Sequence, residues 1–310
     1  MKALSHSSMS LYRECPQRYK FRYVDGIKEG PKSYFSFGRS VHTALEFLYT
    51  SQLLAPSLQE VLAHYQIHWV KEGYKDAQEE KLKFLEGTRI VKAYYDKHAG
   101  DWKPAMATEL DFTVTIDGAD VRGKIDRVDK LPNGSLHVID YKTGKAIDSQ
   151  KVNADPQLTL YQMACEEVLG LPVEKLTLYH VPTLNPLTSP RHADGLVRDL
   201  RKSIMTVKTS IDNKVFDPKP ENWKCNRCDY KRICPAWTNE NGSIASVAIK
   251  PPQPNRAAAP MRLQENAGLT SNGNLLTKPP ATGSAIATID ALIGQTQQIL
   301  KTLIKLKAEL

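Results

Sequence analysis

No run of 18 or more apolar residues occurs in the 310-residue sequence, so no segment is expected to span a membrane. The opening stretch, MKALSHSSMSLYREC, lacks the apolar core of a secretory leader. The expected location is therefore cytoplasmic, or the host cytoplasm for a viral chain. Cysteine is scarce and odd in number, with five residues at positions 15, 165, 225, 228 and 234. That count argues against a disulfide framework, and it leaves Cys225-x2-Cys228 to be read as a soft-metal or cluster pair. Charge of one sign is not in strong excess either. The net charge is +8, and from Gly242 onward seven Lys/Arg face three Asp/Glu, which is half of that excess. Residues 1–241 are thus only mildly basic, and bulk charge alone is weak ground for a polyanionic partner. Internal repeats are absent.

What is present falls into three parts. Residues 1–240 carry the patterns of a folded domain. Around 241–283 six prolines, with Ala, Asn, Gly and Ser, indicate a flexible linker. Residues 284–310 have an apolar stripe including Ile289, Leu292, Ile293, Leu300 and Leu303, as an amphipathic helix would. Such a helix is marginal alone in water and is expected to dock on a partner, on a second copy, or on the core.

Within the folded part the first hundred residues read as helical, and Ser57 is placed to cap the helix that begins SLQEVL. ATELDFTVTID then alternates as a strand. Asp117-Gly118 and Pro132-Asn133-Gly134 are turns that make a three-strand antiparallel meander with DVRGKIDRVDKL and SLHVIDYKT. A helix follows in DPQLTLYQMACEEVLG, stopped at Gly170, then a strand in KLTLYHVPT and a helix in VRDLRKSIMTVKTSIDN.

The meander concentrates the chemistry. Because strand side chains alternate, Asp140 and Lys142 share a face, and Asp126 is carried by the preceding strand. Two converging carboxylates suit a hard cation, Mg²⁺ or Mn²⁺. Such a cation polarises a phosphate and acidifies a bound water, while a neighbouring lysine stabilises developing negative charge. An Asp-x-Lys step alone is as readily a surface cross-strand pair. Val138 and Ile139 beside Asp140 imply burial, where a carboxylate without a partner is costly. Lys124 and Arg127 are expected to line a phosphate groove.

The block GKIDRVD…VIDYKTGK, with Glu109 before it, resembles the nuclease core of the PD-(D/E)XK superfamily in its RecB-like branch. That branch includes nuclease domains of recombination helicase–nucleases and CRISPR adaptation exonucleases. LSHSSMSLYRECPQRYKFRYV resembles the opening S-x-S…CP-x-x-Y of that branch, FGRSVHTALE its G-x-x-x-H motif and QLTLYQMA its Q-x-x-x-Y motif. The likeness spans roughly residues 5–237 with the motifs in order. It implies an α/β (α+β) fold with a restriction-endonuclease-like mixed central sheet flanked by helices, a helical N-terminal part and a Cys-rich C-terminal clasp. The implied activity is metal-dependent DNA exonuclease chemistry. Asp126 and Asp140 are the implied main metal ligands, with His42 a ligand or beside the metal and the Tyr141 carbonyl a further donor. Lys142 acts on the attacking water, and Gln157 and Tyr161 contact substrate or hold Lys142. Glu109 is a further ligand or structural.

Cys225, Cys228 and Cys234 are one thiolate short of a tetrahedral set, and Cys15 is the available fourth. The spacing alone is compatible with Zn²⁺; the resemblance implies a 4Fe–4S cluster on these four. Arg227, Lys231 and Arg232 are placed to attract DNA phosphates or offset cluster charge. Cys165 is expected to be a small core residue. A reading from another class is a non-catalytic, cluster-stabilised DNA-binding adaptor of a larger complex.

Overall fold

A computed structural model describes residues 3–237 except 51, 52 and 147. The proline-rich linker and the C-terminal amphipathic segment lie outside the described residues.

The helical first part forms as its caps and apolar spacing dictate. Helix α1 (His6–Glu14) opens on a capping box between Ser5 and Ser8, and α2 (Pro16–Tyr19) begins with proline in its first turn. A π-helical turn at Lys20–Val24 then bends the chain, which the periodicity did not foreshadow. Helices α3 (Ser33–Thr50), α4 (Leu58–Ile67) and α5 (Ala77–His98) follow. Ser57 caps α4 in a box with Glu60, as expected. Gly87 lets α5 approach α4 closely, because a Cβ there would run into the Tyr65 hydroxyl.

The expected meander is present. Strands β1 (Ala107–Ile116), β2 (Ala119–Lys130) and β3 (Leu136–Lys142) pair antiparallel in order. Asp117 and Gly118 both have positive φ, 50° and 84°, at the tight turn between β1 and β2. Helix α6 (Pro156–Leu169) crosses over to β4 (Val173–His180), which runs parallel to β3. Gly170 ends α6 with φ 64°. The sheet closes with β5 (Asn185–Pro190), antiparallel to β4, before α7 (Asp194–Asp212). β5 is not among the strands expected from the sequence; it carries two prolines in six residues, which an edge strand tolerates.

The mixed five-stranded sheet has order β1-β2-β3-β4-β5, with helices on both faces. One apolar cluster joins Met9 and Tyr12 of α1, Leu158 and Cys165 of α6 and Ile204 of α7 to Leu136, Val138 and Leu176. The other joins Val41 and Leu45 of α3, Tyr65 of α4 and Tyr94 of α5 to Ile139, Tyr141 and Tyr179. β3 therefore feeds both cores, which is why Leu136, Val138, Ile139 and Tyr141 are all buried along it, with Asp140 a buried acid among them.

Two half-buried histidines sit at the sheet. His98 Nε2 lies 2.7 Å from Tyr179 Oη, and His137 Nε2 lies 2.7 Å from Thr177 Oγ1. Burial lowers both from 6.5 to about 4. The folded chain keeps them neutral where the unfolded chain would take up protons. Stability is thus complete above about 6.5 and is lost as pH falls toward about 4. Melting temperature followed from neutral pH downward should drop through that window, and the drop should shrink in His98→Gln. An unchanged slope in that variant would remove His98 from the account.

Candidate active site

The sheet opens where the acids lie. β2 pairs with β3 only as far as Arg127↔Ile139, so Asp126 and Asp140 stand at a fork between the strands. The Asp126 side chain takes the place of a ladder carbonyl, with Oδ2 accepting from the Tyr141 backbone N–H at 2.7 Å. On the other side, β1 and β2 pair at Thr108↔Arg127 and Leu110↔Ile125, with Glu109 and Asp126 opposite each other but outside the paired register. Glu109 has φ +46°, a left-handed conformation that is costly for a non-glycine residue in a strand.

That distortion turns the Glu109 carboxylate toward Asp126, and α3 supplies His42 from above. His42 Nδ1 is 3.3 Å from Asp126 Oδ1. One ligand atom from each of His42, Glu109 and Asp126 lies within 4.8 Å of the others, the only such group of three or more among the described residues. Two carboxylates and an imidazole form a donor set suited to Mg²⁺ or Mn²⁺. The geometry thus makes Glu109, left open between ligand and structural residue, a member of the candidate metal group.

Asp140 lies deeper and is 2% exposed. Its Oδ2 is 2.6 Å from Lys142 Nζ, yet without the alignment of a good hydrogen bond. Burial, and then Asp126, raise its pKa to about 6 against the pull of Lys142. The incompletely satisfied oxygen fits a carboxylate that a cation would complete. Burial opposes the charged form of His42, but Asp126, Asp140 and Glu109 outweigh it and raise its pKa. For Lys142 burial is likewise outweighed by Asp140 and Asp126, so it stands in the site as an ammonium.

Helix α6 holds Lys142. Asp155 caps the helix, accepting from the backbone N–H groups of Gln157 and Leu158, and so orients its first turn. Gln157 Oε1 accepts from Lys142 Nζ at 2.8 Å, and Gln157 Nε2 donates to Tyr161 Oη at 2.7 Å. An ammonium only donates, so the amide oxygen has to face Lys142. The chain Tyr161–Gln157–Lys142–Asp140 fixes the ammonium beside the metal group. A cleft of about 880 Å³ opens onto His42, Glu109, Asp126 and Lys142, with Arg39, Lys83 and Lys145 also on its walls.

Not every expected groove residue lies there. Arg127 is a correction: its side chain is 12% exposed and points into the core. The guanidinium sits 3.4 Å from the Tyr49 ring centroid and donates to both Asp129 oxygens at 2.7 Å. Alternation explains this, since one step from Asp126 reverses the face. Lys124 is half exposed and 3.3 Å from Glu109. The cleft-wall cations Arg39, Lys83 and Lys145 were missed, although the i, i+3 step from Arg39 to His42 was a usable signal.

The four cysteines converge on one small pocket. Cys15, at the junction of α1 and α2, faces Cys225, Cys228 and Cys234 there, with Arg18, Phe21 and Tyr230 around them. Tyr230 Oη donates to the Ile27 carbonyl at 2.7 Å, and Lys32 pairs with Asp229, tying the two chain segments together. Around it, Arg227 and Arg232 are exposed, and Lys231 Nζ lies 4.4 Å from the Trp237 ring centroid. Cys165 is fully buried in the core, as expected.

The sequence profile of the PD-(D/E)XK nuclease superfamily matches residues 3–235. The Gene 69 protein of Mycobacterium phage D29 is 26% identical over 267 residues, covering 75% of this chain and 96% of the phage protein. The Gene 69 protein of Mycobacterium phage L5 is 25% identical over 285 residues, with coverage of 75% and 96%. Among solved structures, a protein from Eubacterium rectale described as a candidate exonuclease superposes with TM-score 0.47 at 12% identity, covering 80% of this chain and 91% of its own. SSO0001 superposes with TM-score 0.32 at 16% identity, with coverage of 74% and 96%.

Proposed function

Since the chain belongs to the PD-(D/E)XK nuclease superfamily, we propose that it is a Mg²⁺- or Mn²⁺-dependent DNA exonuclease of the RecB-like branch. It would act on single-stranded or end-containing DNA in recombination, repair or processing. The observation that carries the reading is the forked sheet, which sets His42, Glu109 and Asp126 around one point beside an ammonium held by Asp140 and Gln157. A cation bound there would polarise the scissile phosphate and acidify a water. His42, Glu109 and Asp126 would hold it, with Asp140 and the Tyr141 carbonyl as further donors. Lys142 is held beside the metal group by Asp140 and Gln157. It donates to the attacking water or to the phosphate oxygen where charge builds up. Gln157 and Tyr161 keep that donor aimed.

Purified protein should shorten linear single-stranded DNA when Mn²⁺ or Mg²⁺ is supplied and should be silent in EDTA. Circular single strands should persist. Equal loss of circles would overturn the exonuclease assignment, and intact nucleic acid with both metals would overturn the catalytic reading itself.

The cysteine clasp is read as a 4Fe–4S site. The reading is supported by the order of the motifs, with one cysteine before the core and three after it, and by the four thiols lining one pocket. Anaerobically purified protein should be brown and be bleached by dithionite. Colourless protein containing stoichiometric zinc would reverse the assignment.

A further inference from the structure

Two large rings stand in water at the start of α3. Tyr34 is 63% exposed and Phe35 is 57% exposed. Their centroids are 4.4 Å apart with the planes tilted by 44°, so they form one aromatic surface rather than two scattered side chains. Scattered exposed apolar residues need no explanation, but an exposed pair at the wall of a functional cleft does. Both rings line the cleft that holds the metal group.

Their position on the helix relates them to that group. Phe35, Arg39 and His42 are spaced i, i+4 and i+7, which puts them on one face of α3. From Phe35 to His42 the helix rises about 10 Å, close to three stacking steps of about 3.4 Å in a nucleic-acid strand. Arg39 lies between and is exposed, with no ion-pair partner among the described residues. Lys145 faces the same cleft, and Lys83 is shared between Glu86 and the Phe37 ring. Phe35 and Arg39 also border a second groove, whose walls carry Arg22, Lys28 and Lys32 together with Glu29 and Glu72. An aromatic surface flanked by cations and leading to a metal site matches how unpaired strands are held: rings stack the bases, and cations follow the phosphates. In a duplex the faces of each base are covered by the neighbouring base pairs and are not open to a protein surface.

We propose that Tyr34 and Phe35 form a base-stacking platform that takes the unpaired bases of a single-stranded DNA substrate and feeds its backbone past Arg39 to the metal group. This rests on the nuclease reading above and assigns its strand specificity to a site outside the catalytic residues.

The test is binding of a labelled oligothymidylate to the full-length, anaerobically purified protein in EDTA, with cleavage by the same protein measured in parallel with Mn²⁺. Tyr34→Leu with Phe35→Leu should weaken binding by about tenfold or more, while Tyr34→Trp with Phe35→Trp should restore it. An abasic oligonucleotide of the same length should bind the wild type about tenfold more weakly than oligothymidylate does. This arm needs no variant to fold. Tryptophan emission from the Trp pair should be quenched by oligothymidylate and not by the abasic strand. Wild-type cleavage together with equal binding of thymidylate and abasic strands, or with unchanged binding by the leucine pair, overturns the platform and leaves the nuclease reading standing. The rings would then belong to a protein contact. Neither binding nor cleavage by the wild type would instead defeat the nuclease reading, and the platform with it.

Discussion

Lys142→Met should lower metal-dependent DNA cleavage by about 100- to 1000-fold, the usual cost of removing one charged donor aimed at a transition state. The ammonium lies between Asp140 Oδ2 and Gln157 Oε1 and is held protonated by Asp140 and Asp126. Arginine in its place should not rescue, because a planar fork cannot reproduce a single Nζ held between those two oxygens. The loss should fall on kcat rather than on metal affinity, since Lys142 donates and cannot ligate. Mn²⁺ binding should therefore stay within a few-fold of wild type. Gln157→Ala should be milder, because it loosens the donor without deleting it. Lys142→Met also leaves the buried Asp140 without its cation, so part of the cost will appear as lower stability of the metal-free protein, regained when Mn²⁺ is added. Wild-type turnover in Lys142→Met would remove the residue from the chemistry.

Arg127→Met should destabilise the fold by about 3–5 kcal/mol, the range for removing one partner of a buried ion pair. For a domain of this size that is a fall of roughly 10 °C in melting temperature. Arg127 stacks on Tyr49, donates to both oxygens of Asp129, and lies 3.5 Å from the Tyr141 hydroxyl, which in turn contacts Tyr94 at 3.1 Å. Without the guanidinium the Asp129 carboxylate is left largely buried and unpaired. Replacing both, as Arg127→Met with Asp129→Leu, should recover much of the loss, which distinguishes a broken pair from lost packing. The salt dependence of DNA binding should be unchanged. A stable Arg127→Met protein with a shallower salt slope would instead restore the expectation that Arg127 meets a phosphate.

The contrast between these two residues shows what was legible. Lys142 follows from a local rule, because two residues along a strand return to the same face. The turns at Asp117-Gly118 and Asn133-Gly134, the cap at Ser57 and the stop at Gly170 are equally local, and each stands where its chemistry requires. Arg127 fails the same kind of rule. Its neighbours in sequence suggested a basic groove, but one residue of offset turned it into the second core. β5 escaped because its prolines are unfavourable anywhere but at an edge, and edge position is a property of the whole sheet.

By itself the sequence determined the three-strand meander and the main helices around it, the shared face of Asp140 and Lys142, and the motif pattern that marks the superfamily. These depend on side-chain period and turn chemistry, which act over a few residues. Only the tertiary structure decided that β2 parts from β3 at Asp126, that Glu109 adopts a left-handed backbone opposite it, and that Cys15 meets three cysteines more than two hundred residues away. It also decided that Tyr34 and Phe35 stand exposed at the cleft while Arg127 does not. Each of these is a balance between distant groups: a ladder bond given up for a ligand position, or a charge buried because an aromatic ring and a carboxylate were there to receive it. Such balances are settled when the layers pack, and no local period encodes them.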